Sequence, residues 1–377
     1  MAELMNTAII FIKNDKELEL ASAKILGKNL IDYTVRTLKK LDLDNIYLVG
    51  AGEADFADVI KRDDVKEIID DLKICGGKSL LLSPFYPLLG KNDYMNLLDI
   101  DDEDGVVALD DKGTCAVFVL PNDRLETFEN IDFRELEISK VDAKRVNALS
   151  DITDFTEELK MRINAKLISN GVNIVDPYST YIGQDVIIDK TTIIYPGVVI
   201  EGKCLIGKGN VISGSSYLIN VVIGDGNNIV SSRITDSIIH NNVNIGPNAH
   251  IRNASEIYDE ARIGNYVEIK NTRIGKLTRV AHLAYLGDAQ IGEDVNIGCG
   301  VITINYDGTR KYATIIKDHA FIGSNANLIA PITVGEYSMV AAGSTVDEDV
   351  LDGDMAISRL YQTNKKGYGY RYINKEN

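Results

Sequence analysis

The chain contains no tryptophan, only four histidines, four cysteines and seven prolines in 377 residues. Cys75, Cys115, Cys204 and Cys299 are widely scattered and form no C-x-x-C pair. That pattern signals neither a zinc site nor a disulfide framework, so a cytoplasmic protein with reduced thiols is the expectation. No run of eighteen apolar residues occurs, so no membrane span is expected. The opening "MAELMNTAIIFIKNDKE" meets acidic and amide residues too early for a secretory leader. Positive charge is also scarce: 40 Lys and Arg against 56 Asp and Glu leave a net charge of −16, which argues against a nucleic-acid surface. Any anionic ligand must therefore be met by cations gathered locally.

What is abundant is aliphatic residues on a fixed period. Ile182, Ile188, Ile194, Ile200, Ile206 and Ile212 fall six apart. The period resumes at Ile245, Ile251, Ile257, Ile263 and Ile269, and again at Ile322, Leu328, Val334, Val340 and Val346. A period of six is neither helical nor a plain strand alternation. It predicts a parallel β-helix of hexapeptide repeats, with three hexads to a coil and the aliphatics stacked inside. About nine coils at ~4.8 Å give a prism on the order of 45 Å tall. The interruptions are expected to carry function, because a solenoid has no structural need for them. The longest, 303–321, has Asp307-Gly308 at its tip and carries Asn305, Tyr306, Arg310 and Lys311.

Ahead of the ladder, 151–171 reads as a linker helix with Phe155, Leu159, Ile163 and Leu167 on one stripe and Asn170-Gly171 at its end. Residues 1–150 read as a small α/β domain: "NTAIIFI" and "NIYLVG" as buried strands, "NLIDYTVRTLKKL" as the amphipathic helix between them. The expected organisation is thus 1–150, the linker 151–171, a β-helix over 172–350 and a basic tail over 351–377.

Several stretches go beyond the hexapeptide pattern: "IGNYVEIKNTRIG", "AHLAYLGDAQIGEDVNIG", "NYDG", "FIGSNANLIAPITVG", "VAAGSTV" and "AISR". From about residue 160 to about 368 the chain resembles the bacterial bifunctional N-acetylglucosamine-1-phosphate uridyltransferase / glucosamine-1-phosphate acetyltransferase family. The resemblance implies a left-handed β-helix, a homotrimer with sites between subunits, and acetyl transfer from acetyl-CoA to glucosamine-1-phosphate. That reaction lies on the route to UDP-N-acetylglucosamine, a cell-wall peptidoglycan precursor. No Mg2+ requirement is expected for acetyl transfer.

Residue by residue, His282 matches the catalytic base. The acceptor amine is largely protonated at neutral pH, and an imidazole can take that proton. Glu268 is expected to accept a hydrogen bond from the other ring nitrogen. Arg252, Lys270, Tyr285, Asn296 and Lys311 match sugar- and phosphate-contacting positions. Arg252 and Lys270 are one coil apart, which predicts that they stack. Asn305 and Tyr306 match the acetyl-CoA side of the site, Ser324 a donor to the developing oxyanion, and Ala342 and Arg359 further acetyl-CoA contacts. Lys365, Lys366 and Arg371 of the tail could reach the CoA phosphates. Where the family reads Leu-Arg-Pro-Gly, this chain has "IRNA" (251–254).

The first domain departs from the family. The Gly-rich loop after the first strand is missing, since no glycine precedes Gly27, although Lys24 echoes a family lysine. Phe85 stands where a metal-binding aspartate is expected, and "VDAKR" (141–145), with Asp142, replaces the final metal motif. The expectation is a degenerate, nucleotidyltransferase-like (Rossmann-like) domain that has lost uridyltransferase activity. Two alternatives stand beside it: an enzyme that keeps both activities, and a non-catalytic trimeric scaffold or regulatory subunit for a separate uridyltransferase.

Overall fold

The computed structural model describes residues 5–100, 105–109, 115–130, 134–137 and 144–370. Asp142 and Arg371 lie outside the described residues. The chain divides into two compact units, Met1–Arg162 and Ile163–Asn377. No helix among the described residues is long and apolar enough to cross a membrane.

The first unit is a seven-stranded sheet with Thr7–Phe11 near its centre. On one side of it lie Asn45–Val49 and then Ile60–Arg62, both parallel to it. On the other side Lys78–Leu82 is parallel, and Cys115–Pro121, Val106–Leu109 and Arg134–Glu137 complete the sheet. The central strands are unbroken apolar runs because both faces are covered: Ile9, Ile10, Leu48 and Leu80 are fully buried. Where the Gly-rich loop was expected to be missing, a helix (Asp15–Ala21) starts within three residues of the first strand. Asn14 caps it by accepting from the Glu17 N–H at 3.1 Å, and the Glu17 carboxylate accepts from the Lys13 N–H at 2.7 Å. Two backbone donors of this turn, the N–H groups of Lys13 and Glu17, are thus taken by the chain's own side chains. Phe85 is 1% exposed, a core residue rather than a group facing an ion.

The second unit is a left-handed parallel β-helix whose three faces are sheets of 11, 10 and 9 strands. Every aliphatic of the three runs is buried at 7% exposure or less. Each stacks in register on its counterpart one coil away, as Ile182 does on Ile200 and Ile251 on Ile269. Polar ladders brace the corners inside: the Asn227 side-chain amide donates to Asn210 Oδ1 at 3.0 Å, and Asn227 Oδ1 accepts from the Val243 N–H at 2.8 Å.

The interruption expected over 213–244 is not a departure from the prism. Leu218, Ile223, Ile229, Ile234 and Ile239 continue the ladder at 2% exposure or less. Some corners simply use one residue fewer, so the aliphatics fall five rather than six apart. The interruption at 303–321 is real but shorter, because Thr303 and Ile316 both point inward. Residues 305–313 leave the prism as a hairpin. Tyr306 pairs with Lys311, and Asp307 accepts from the N–H groups of Thr309 and Arg310.

The helix Ile152–Ser169 carries Phe155 and Leu159 in the first unit, 2% and 6% exposed. Its last turns belong to the second unit, where Leu167 joins the prism core. The Asn164 side-chain amide donates to the Pro177 and Thr180 carbonyls at 2.8 and 3.0 Å, closing the polar end of the first coil.

Candidate active site

The corner between the second and third faces gathers Lys270, Asn271, Asp288 and Asn305. Most corners are turned by a residue with positive φ, which Asn and Asp tolerate. Asn271 (φ 47°) and Asp288 (φ 51°) serve here one coil apart. Asp288 is then aimed at its neighbours. Its Oδ1 accepts from the Asn271 amide at 2.6 Å, Oδ2 accepts from the Asn305 amide, and Lys270 Nζ stands 3.9 Å away. Burial works to raise the Asp288 pKa. Hydrogen bonds from Asn271 and Asn305 and the charges of Lys270 and Lys311 outweigh it and hold the carboxyl below its ordinary value.

On the second face Arg252 and Lys270 stand in register, one coil apart, as their spacing predicts. Arg252 hands both Nε and one terminal nitrogen to Glu268 Oε1, at 3.1 and 2.7 Å. The expected Glu268–His282 hydrogen bond is therefore not made within one chain, because the carboxylate is engaged by the nearer guanidinium. Lys311 reaches the same cluster from the hairpin, and the neighbouring Lys270 ammonium lowers its pKa. Arg252, Lys270 and Lys311 thus face two carboxylates in a protein of net charge −16. The next position in the column above Lys270 is Gly287. A Cβ there would sit 2.5 Å from the Tyr285 hydroxyl and 2.9 Å from the Asn305 amide nitrogen, so both side chains close directly over the glycine and leave no room for a larger residue. Thr303, fully buried where the ladder expects an aliphatic, receives the Gly287 N–H at 2.8 Å and pins that segment.

His282 closes the strand Arg279–His282 on the first face, in register with Asn265, and is exposed. Its ring has no hydrogen-bond partner among the described residues. Counting the register upward places Cys299, Ser324 and Ala342 in the same column. The hydrogen bonds Asn325 N–H to Cys299 and Gly343 N–H to Ser324, 2.7 and 2.8 Å, hold that corner. Ser324 is two coils from His282, roughly 10 Å at the inter-strand spacing. Its N–H donates to no described residue. Arg359 packs at the top of this column, its Cδ 3.9 Å from where a Cβ on Gly343 would lie. Asn296 lies on the first face between Arg279 and Phe321, apart from Lys270. Tyr306 is on the hairpin, 57% exposed, and donates to the Gly308 carbonyl at 2.6 Å. Lys365 and Lys366 are exposed in the tail, with Lys365 Nζ 5.4 Å from the Tyr368 ring centre.

One chain therefore brings the candidate residues into two groups on different faces. One gathers Arg252, Glu268, Lys270, Tyr285, Asn305 and Lys311; the other lines up His282, Ser324, Ala342 and Arg359. Asp288, Asn271 and Gly287 were missed from the sequence. Their signal was faint: a Gly-Asp pair at a corner reads as turn chemistry alone. At "IRNA", Asn253 and Ala254 both adopt positive φ, 55° and 57°. The alanine there costs on the order of 1 kcal/mol that a glycine would avoid. No group of His, Cys, Asp and Glu among the described residues could hold a metal ion.

No family profile matches the chain. It is 49% identical over 232 residues to the bifunctional protein GlmU of Geobacillus sp., an alignment covering 62% of this chain and 50% of that protein. It is 50% identical over 226 residues to the bifunctional protein GlmU of Caldicellulosiruptor saccharolyticus, covering 60% and 49%. The chain thus spans about half the length of the curated relatives it matches. Among solved structures, LpxA, a UDP-N-acetylglucosamine acyltransferase from Bacteroides fragilis, is 25% identical with a TM-score of 0.32, covering 44% of this chain and 68% of that one. A 4-diphosphocytidyl-2C-methyl-D-erythritol synthase from Anaerococcus prevotii is 12% identical with a TM-score of 0.31, covering 42% and 96%.

Proposed function

We propose that the prism is an acetyl-CoA-dependent N-acetyltransferase acting on glucosamine-1-phosphate, as its likeness to the bifunctional GlmU proteins suggests, and that the active form is a homotrimer. The observation that carries the reading is the stack of Arg252 on Lys270, with Lys311 added from the hairpin, beneath a Gly287 that the Tyr285 and Asn305 side chains cover closely. Three cations at one corner of an acidic protein suit a sugar phosphate. The Tyr285 hydroxyl, the Asn305 amide and Asp288 offer both acceptors and donors for sugar hydroxyls.

In this reading His282 removes a proton from the acceptor ammonium. The freed lone pair attacks the thioester carbonyl, and the N–C bond forms as the C–S bond breaks. The nitrogen gives up its second proton as the amide forms, and the departing thiolate takes it up. The unpaired Ser324 N–H faces the oxyanion that develops in between. Asn305 and Tyr306 border the acetyl group, while Ala342 and Arg359 flank the CoA. Glu268 fixes the Arg252 guanidinium rather than the imidazole. Because His282 and the cation stack occupy different faces of one prism, a neighbouring subunit joins the half-sites. Acetyl-CoA use fits a cytoplasmic setting. Release of free thiol from acetyl-CoA, dependent on glucosamine-1-phosphate, tests the assignment; no release with this acceptor would refute it.

The first unit is read as a relic without uridyltransferase activity. The Lys13 and Glu17 amides after its first strand are occupied by Glu17 and Asn14, and Phe85 is buried in the core.

A further inference from the structure

We infer that the first unit holds a metal-independent binding site for an amphipathic organic anion, in the cavity between the carboxyl ends of the strands Thr7–Phe11 and Lys78–Leu82. The sheet order locates it. From Thr7–Phe11 the next two parallel strands run outward to one side, and Lys78–Leu82 lies on the other. Strand order therefore reverses between these two strands, and in open α/β sheets ligands bind beyond the carboxyl ends at such a switch point. A cavity of about 450 Å³ opens there, within the size range of small-molecule sites.

Its chemistry sets the ligand class. Phe11, Leu82 and Phe118 give it apolar walls, and Lys13 and Arg145 bring two cations to it. Arg145 Nε is buried without a hydrogen-bond partner. A buried charged donor left unpaired is costly, and an anion in the cavity would relieve that cost. Glu17 also lines the cavity, but its carboxylate is engaged by the Lys13 N–H at 2.7 Å and by its place in the capped helix. Neither Lys13 nor Arg145 forms an ion pair with a described residue. A metal-bound triphosphate is the wrong guest: the Lys13 and Glu17 amides are taken, and Glu17, the one carboxylate among the described lining residues, is engaged by the Lys13 N–H. The fitting guest is a single carboxylate, sulfonate or phosphate on a flat apolar body. This site is independent of acetyl transfer in the prism.

The test uses the full chain, anilinonaphthalene sulfonate as the probe and excess chelator throughout. Saturable one-to-one binding is expected. Lys13→Gln and Arg145→Gln should each weaken it about tenfold, the loss of one charge-assisted contact, and Arg145→Lys should fall between. Lys13 is exposed, so its replacement leaves the fold intact and keeps the test meaningful if Arg145→Gln is unstable. Cys115 lines the cavity and supplies a second readout: in a Cys75→Ser/Cys299→Ala background the probe should slow its alkylation by a maleimide. Unchanged affinity in both glutamine variants, binding that appears only with Mg2+, or unprotected Cys115 would overturn the inference.

Discussion

Gly287→Ala isolates the geometry of the proposed sugar-phosphate site. The substitution adds one methyl group, which would lie 2.5 Å from the Tyr285 hydroxyl, 2.7 Å from its Cζ and 2.9 Å from the Asn305 amide nitrogen. Ordinary carbon contacts begin near ~3.5 Å, so both side chains must retreat by roughly 0.5–1 Å. The backbone at Gly287 is not among the positive-φ positions, so alanine is tolerated there, and Leu286 stays fully buried. Overpacking costs are therefore at the low end, about 1 kcal/mol, or a few degrees in Tm. The catalytic cost is larger, because a displacement of about 1 Å in positioning groups can lower turnover by up to ~10²-fold. We expect kcat/KM for glucosamine-1-phosphate to fall about 10- to 100-fold in the thiol-release assay, with KM for acetyl-CoA little changed. In a double-mutant cycle the methyl group should add little to Tyr285→Ala, since the displaced ring is then already gone. A folded Gly287→Ala protein with unaltered kcat/KM would refute the reasoning, as would a loss confined to acetyl-CoA.

Four further outcomes follow from the same structure. His282→Ala should lower acetyl transfer by at least ~10²-fold, the effect of a positioned general base, with folding intact; near-normal turnover would remove the base from the mechanism. Light scattering should give three times the mass of one chain, and an active monomer would break the requirement for a neighbouring subunit. Protein free of host enzyme should release no pyrophosphate from UTP and N-acetylglucosamine-1-phosphate at any Mg2+ concentration. Backbone N–H groups of Arg310 and Thr309, and then the Thr309 hydroxyl, hold the Asp307 pKa down to about 2, below its ordinary value. A depressed carboxylate stabilises the hairpin turn above its ordinary pKa and loses that contribution as pH falls from about 4 towards 2. Hydrogen exchange at Thr309 and Arg310 should therefore quicken in Asp307→Asn at neutral pH and reach the same rate as wild type only in acid.

The prism was legible because its rule is local and repeated. An inward aliphatic every sixth residue, with a turn-former beyond it, dictates the coil wherever it recurs, and Ile182 to Ile212 state it without a gap. The Arg252–Lys270 stack was legible for the same reason, since eighteen residues make one coil. The loss of the Gly-rich loop was legible only against the family resemblance, because no glycine precedes Gly27. The sequence could not say that 213–244 continues the prism, because five-residue corners break the written period while leaving the stacking unbroken. Nor could it choose a partner for Glu268: a carboxylate's partner depends on which cation the neighbouring coil brings within about 3 Å, and that cation is Arg252. Asp288 is the clearest case. In the chain it is a corner residue; only folding sets Asn271 one coil below it and Asn305 of the hairpin one coil above, and so turns a structural aspartate into the centre of the cluster. The cavity beside Arg145 is likewise tertiary, made by strands more than sixty residues apart in the chain. Periodicity fixes what each coil repeats, whereas side-chain pairing across coils and strands depends on distances that no local pattern contains.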